Sequence, residues 1–103
     1  MNVKQNNSSM EYKPPTQAHH TVAVSTSVVT MTAAQLPESH QYVYVQVQSN
    51  TVRATYDGSD PSASNGEQMT AGTRFTVKRD LALAMKFIRE SADAVLWIQP
   101  FGS

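Results

Sequence analysis

Residues 41–48 constrain the fold of this chain more than any other stretch. Val43, Val45 and Val47 alternate with Tyr42, Tyr44, Gln46 and Gln48, the two-residue period of a strand with one apolar and one polar face. A strand of that kind belongs to an antiparallel sheet, because parallel sheets are covered on both sides and read as continuous apolar runs. Tyr42 and Tyr44 then stand on the face away from the core. Aromatic side chains so placed on strands serve in cores or interfaces, which makes this pair a candidate contact surface.

A second strand follows the turn at Ser49 and Asn50. Val52, Ala54 and Tyr56 alternate with Arg53 and Thr55, so all three are expected on one buried face. The chain then enters a long turn over residues 57–66. Asp57 and Gly58 break the strand, since Gly accepts positive φ and Asp bonds its own following backbone. Asp60 precedes Pro61, which holds it extended, and Asn65 with Gly66 signals a second sharp reversal. Asp57, Gly58, Asp60, Pro61, Asn65 and Gly66 are accordingly expected to build a structural turn.

The remaining segments are short and apolar in the same rhythm. Residues 21–31 are rich in β-branched types, with Val22, Val24 and Val28 on one phase, and Ser25, Thr26 and Ser27 divide them into two short strands. Pro37 closes the piece around Ala33, Ala34, Gln35 and Leu36. Glu67, Gln68 and Met69 form a short extended piece, and Arg74 to Lys78 alternate with Phe75 and Val77 inward. Residues 81–90 fit two templates. Asp80 can cap a helix with Leu81, Ala84, Met85 and Ile88 on its stripe, while Leu81, Leu83, Met85 and Phe87 suit a strand, the reading preferred in an otherwise β chain. A last strand covers residues 94–99 and is expected to end at Pro100. Val43, Val45, Val47, Phe75, Val77, Leu83, Met85, Phe87, Leu96 and Ile98 are the expected core.

These segments amount to about seven to eight strands with turn signals every eight to twelve residues. The fold class is all-β: a small antiparallel β-sandwich or jelly-roll-like domain over residues 21–103. Residues 1 to about 20 are polar, and their composition cannot offset the entropy of ordering. They are expected to form a flexible or extended N-terminal arm, with Tyr12, Pro14 and Pro15 as anchors should it order against a neighbour.

Composition excludes several functions. Eight Lys and Arg balance eight Asp and Glu in 103 residues, and scattered cations do not make a phosphate-binding surface. Nucleic acid is therefore not expected as a partner. There is no cysteine, hence neither a disulfide framework nor a cysteine-based metal site. No apolar run approaches the roughly 18–20 residues that span a bilayer, and no apolar region at the N-terminus suggests a secretory signal. Only 16% of residues are charged, a composition that favours association.

No nucleophile–base arrangement stands out, and no enzymatic activity or cofactor is expected. His19 and His20 would point to opposite faces of a strand, which does not suit a shared metal. Asp57 and Asp60 could serve as an acid–base pair or a calcium site, but the Gly and Pro beside them favour turn-building. Tyr42, Tyr44, Tyr56 and Trp97 could stack on sugar rings, or could be core and interface residues.

The turn at Asp57-Gly58-Ser59-Asp60-Pro61-Ser62, with Ala71-Gly72 after it, Met85-Lys86-Phe87-Ile88-Arg89 and finally Ala92-Asp93-Ala94-Val95-Leu96-Trp97-Ile98, resembles a group of small tailed-bacteriophage virion proteins. The resemblance covers roughly residues 43–101. It implies a non-enzymatic capsid decoration, or cement, protein that binds the major capsid protein on the outer surface of the shell. The implied protein is made in the host cytoplasm and acts as a homo-oligomer on the capsid lattice. A station at the head–tail junction or in the tail is the related alternative. The same turn is also similar to that of the chitobiase C-terminal β-sandwich module, which would imply a carbohydrate-binding accessory domain.

Overall fold

The computed structural model describes residues 18–102. The arm expected over residues 1 to about 20, with Tyr12, Pro14 and Pro15, lies outside the described residues except at its last three positions. Among the described residues eight strands and one short helix follow one another as β1 (His20–Val24), β2 (Val29–Thr30), β3 (Tyr42–Ser49), β4 (Val52–Thr55), β5 (Glu67–Met69), β6 (Arg74–Lys78), α1 (Arg79–Ala84), β7 (Lys86–Arg89) and β8 (Ala94–Phe101).

The strands form two antiparallel four-stranded sheets, ordered β1-β8-β3-β6 and β2-β7-β4-β5. Only the β4–β5 connection stays within a sheet. The pairing has a simple origin. His20 partners Ile98, Val29 partners Phe87, Tyr42 partners Lys78 and Val52 partners Met69. The midpoints of these pairs fall at 59, 58, 60 and between 60 and 61. The chain is thus one long antiparallel ribbon folded back at residues 57–66 and then wound so that β8 meets β3 and β7 meets β4. That winding of an eight-stranded ribbon into two sheets is the jelly roll.

One core lies between the sheets. Val22, Val24, Val43, Val45, Val47, Leu96 and Ile98 reach it from the first sheet, and Val52, Ala54, Met69 and Phe87 from the second. The valines of β3 alternate inward as their spacing requires. Of the expected core, Phe75, Val77 and Leu83 are half-buried against its rim rather than fully enclosed. Phe75 and Val77 belong to the edge strand β6, which has a neighbour on one side only. Met31, Leu36, Ala82, Met85 and Ala94 complete the core.

Three expectations need correction. Residues 81–90 are neither wholly strand nor wholly helix: α1 ends at Ala84, and β7 begins at Lys86. β6 and β7 lie in different sheets, so the chain must cross the end of the sandwich between them. The strong helix formers Leu81, Ala82, Leu83 and Ala84 make that crossing as a helix, burying Ala82 and Met85 while Leu81 is exposed. Lys78, not Asp80, occupies the cap position, and Asp80 sits in the first turn.

Tyr56 does not follow Val52 and Ala54 into the core. β4 stops at Thr55, and Tyr56 is 42% exposed at the start of the turn. The last strand also runs on through Pro100 to Phe101. Pro100 lies opposite Val43 and beyond Ile98, the last residue of β8 that β1 reaches. Its missing N–H therefore removes no bond to β1.

A candidate interaction face

The outward side of the first sheet is assembled by strand phase alone. Each residue opposite an outward one is itself outward, and Tyr44 lies opposite Gln99 and Thr76, Gln46 opposite Trp97 and Arg74, and Tyr42 opposite Phe101 and Lys78. Thr21 pairs with Trp97 and Ala23 with Val95 at the β1 side. Tyr42, Tyr44, Trp97 and Phe101 thus share one face, although β3 and β8 are far apart in the chain.

The rings touch. Tyr42 and Phe101 stack with centroids 5.7 Å apart, and Tyr44 meets Trp97 edge-on at 6.0 Å. His19, just before β1, stacks on Trp97 at 5.2 Å. Such pairs contribute about 0.5–1.5 kcal/mol beyond the area they cover, so the patch is held in a fixed arrangement. Gly102 adjoins it with φ +80, and a Cβ there would stand 2.8 Å from the Tyr42 ring. The His40 ring, buried behind, contacts the Gly102 carbonyl through Nδ1 at 2.8 Å.

No carboxylate stands among the outward positions of this sheet. Arg74 and Lys78 are exposed along its β6 edge and make no ion pair among the described residues. The face is aromatic in the middle and basic along one side.

The second sheet presents a different surface. Arg53 donates through Nε to Glu90 at 2.8 Å and through Nη1 to the Gly66 carbonyl at 3.1 Å, and Gln68 donates to the same Glu90 oxygen at 2.9 Å. Lys86 pairs with Asp60 at 3.0 Å, and Arg89, opposite the inward Val52 at the end of the sheet, pairs with Asp93 at 2.7 Å. Its charges are answered within the molecule.

The turn of residues 57–66 uses its polar groups on itself. Asp57 Oδ1 accepts from the Ser59 amide at 3.0 Å and the Ser59 hydroxyl at 2.6 Å. The hydroxyl bond, then the amide bond, holds the Asp57 carboxyl below its ordinary pKa. Gly58 has φ +88 and Gly66 φ +126, and Pro61 is buried. Ser62 and Asn65 exchange two backbone hydrogen bonds, 2.9 and 3.1 Å long, at the tip. The Tyr56 hydroxyl donates to Glu67, and desolvation followed by this bond and the nearby negative charge pushes Tyr56 up to about 12. Among the described residues no three His, Asp or Glu side chains gather in a way that could hold a metal ion, and no helix is long and apolar enough to cross a membrane.

Of the residues singled out from sequence, Tyr42 and Tyr44 fall on the aromatic face and the turn residues fall together at the ribbon tip. Tyr56 is not on that face; it stands just past β4, at the start of the turn. The sequence does not single out Phe101, His19, Arg74 or Lys78 as contact residues, and it leaves Trp97 open between sugar stacking and a core or interface role. The signal was present: Trp97 alternates with the buried Leu96 and Ile98, so its phase matches that of Tyr44. Compared with models of known protein families, with curated proteins and with solved structures, the chain matches none of them.

Proposed function

We propose that this chain is a non-enzymatic structural protein of a bacteriophage particle, a capsid decoration protein that seats the outer face of its first sheet on the shell. The observation that carries this reading is the contrast between the two sheets. One face pairs its charges internally, while the other holds four aromatic rings and, among the described residues, no carboxylate and two cations without an ion partner. Aromatic residues together with Arg, and few acids, mark protein contact surfaces. The likeness of the 57–62 turn and of the later strands to phage virion proteins, and the jelly-roll winding, agree with it.

Four strands about 4.8 Å apart and up to eight residues long present roughly 500 Å², below the ~800 Å² per partner of a stable pairwise complex. A single contact of that size is weak. Many copies held on one lattice act together and convert weak contacts into a stable coat. The test adds the purified chain to heads lacking it. Saturation at a fixed ratio to the major capsid protein and a higher disruption temperature support the reading, and absence of binding refutes it.

A second reading, a carbohydrate-binding module, draws on Trp97 and Tyr44 lying on a sheet face. His19 already stacks on the Trp97 ring, which leaves less of it for a pyranose. Binding to glycans without affinity for heads would favour this reading over the first.

A further inference from the structure

We propose that β1 is a docking edge that pairs with β1 of a second copy, joining two first sheets into one sheet of eight strands. The two sheets have four edge strands, and three are protected against pairing. β2 is two residues long and β5 three; short edges offer little to a partner. β6 carries exposed Arg74 and Lys78 at its two ends, and α1 packs beside it. Charged residues and covering elements are the usual protections of an edge.

Among the described residues β1 has none of these. His20–Val24 is five residues long, contains no Lys, Arg, Asp, Glu, Pro or Gly, and shows no register irregularity against β8. Among the described residues no strand pairs with it on the side away from β8. An unguarded, uncharged, β-branched edge is a template for another strand.

The sequence is self-complementary about its centre. A two-fold axis through Val22 sets Val22 against the partner's Val22, Thr21 against the partner's Ala23, and His20 against the partner's Val24. Every pair then joins residues of the same face. The inward valines stay inward, and Thr21 and Ala23 stay on the aromatic side. No like charges meet, and the interface is of the isologous kind that closes at two subunits. The pairing brings two aromatic faces into one continuous surface, with Trp97 one strand from the seam in each copy. This inference does not depend on the capsid reading, since it concerns the free protein.

The test is sedimentation equilibrium of the full chain over a rising concentration series. Wild type is expected to move from the 11.3 kDa monomer towards twice that mass. T21K/A23K sets Lys against Lys across the axis on the exposed face, and like charges directly opposite oppose pairing; it should stay monomeric. T21K/A23E sets Lys against Glu and should dimerise as wild type does. A wild type monomeric at every concentration, an undiminished T21K/A23K dimer, or a monomeric T21K/A23E overturns the proposal. If T21K/A23K fails to fold, amide exchange of wild type decides. Protection of β1 amides that rises with concentration supports the pairing, and protection independent of concentration refutes it.

Discussion

Gly66 is pressed against Ala54: a Cβ on Gly66 would stand 3.0 Å from the Ala54 carbonyl oxygen and 3.3 Å from its nitrogen. The contact lies at the turn end of the β4–β5 pairing, where Ala54 partners Glu67. Gly66 also has φ +126, whereas Gly58, with φ +88, has open space around the same position.

The two glycines should therefore respond differently to alanine. Gly58→Ala meets only the backbone penalty of a positive φ, about 1–2 kcal/mol. Gly66→Ala adds a tight contact that the Ala54 backbone must yield to, and should cost about 2–4 kcal/mol as strain and overpacking combine. Urea denaturation of both variants checks the order. Equal losses would mean that the Ala54 contact carries no weight.

Phe87 is fully buried, between Val29 and Ala54 on neighbouring strands of the second sheet. Phe87→Ala should cost about 3–5 kcal/mol, enough to unfold much of a domain whose total stability is of order 5–15 kcal/mol. The same denaturation measurement reads it, and a loss below about 1 kcal/mol would place Phe87 outside the core.

Tyr56 should ionise well above the ordinary tyrosine range. Its pKa is raised to about 12 from an ordinary 10.0, by desolvation and by Glu67. A group whose folded pKa is raised stabilises the fold below its unfolded pKa, and the contribution is lost as pH rises from 10 through about 12. An ultraviolet phenolate titration should show a step near pH 12 that Tyr56→Phe removes. An unchanged step near pH 12 in that variant would contradict the Tyr56–Glu67 bond.

Much of this fold was legible in the sequence because each strand of a two-sheet core carries its own phase. The alternation of Val43, Val45 and Val47 needed no other information. The turn residues were legible for a similar reason, since Gly58, Pro61 and Gly66 act on their own backbone. Residues 81–90 were not, because two periodicities fit them and the choice depends on where β6 and β7 lie in space. The pairing of Thr32 with Gln35, whose side chains each bond the other's amide, was written in the Thr-x-x-Gln spacing and passed over. The aromatic face was only half legible. Phase alone orients Tyr44 and Trp97, but their meeting requires β3 beside β8, which is a property of the wound ribbon and not of either segment.

Trp97 supplies the most direct test of the capsid-docking account, because it is the chain's one tryptophan and lies on the proposed contact face, partly exposed. Its emission should be followed as decoration-free heads are added to the full chain. Docking through the first sheet should shift the emission to shorter wavelength and shield it from a soluble quencher, saturating at the stoichiometry of binding. Trp97→Ala should keep its fold and lose at least tenfold in affinity, consistent with about 1.4 kcal/mol or more from a buried aromatic anchor. Heads that bind the chain with Trp97 emission and quenching unchanged, or that bind Trp97→Ala as tightly as wild type, would contradict the account.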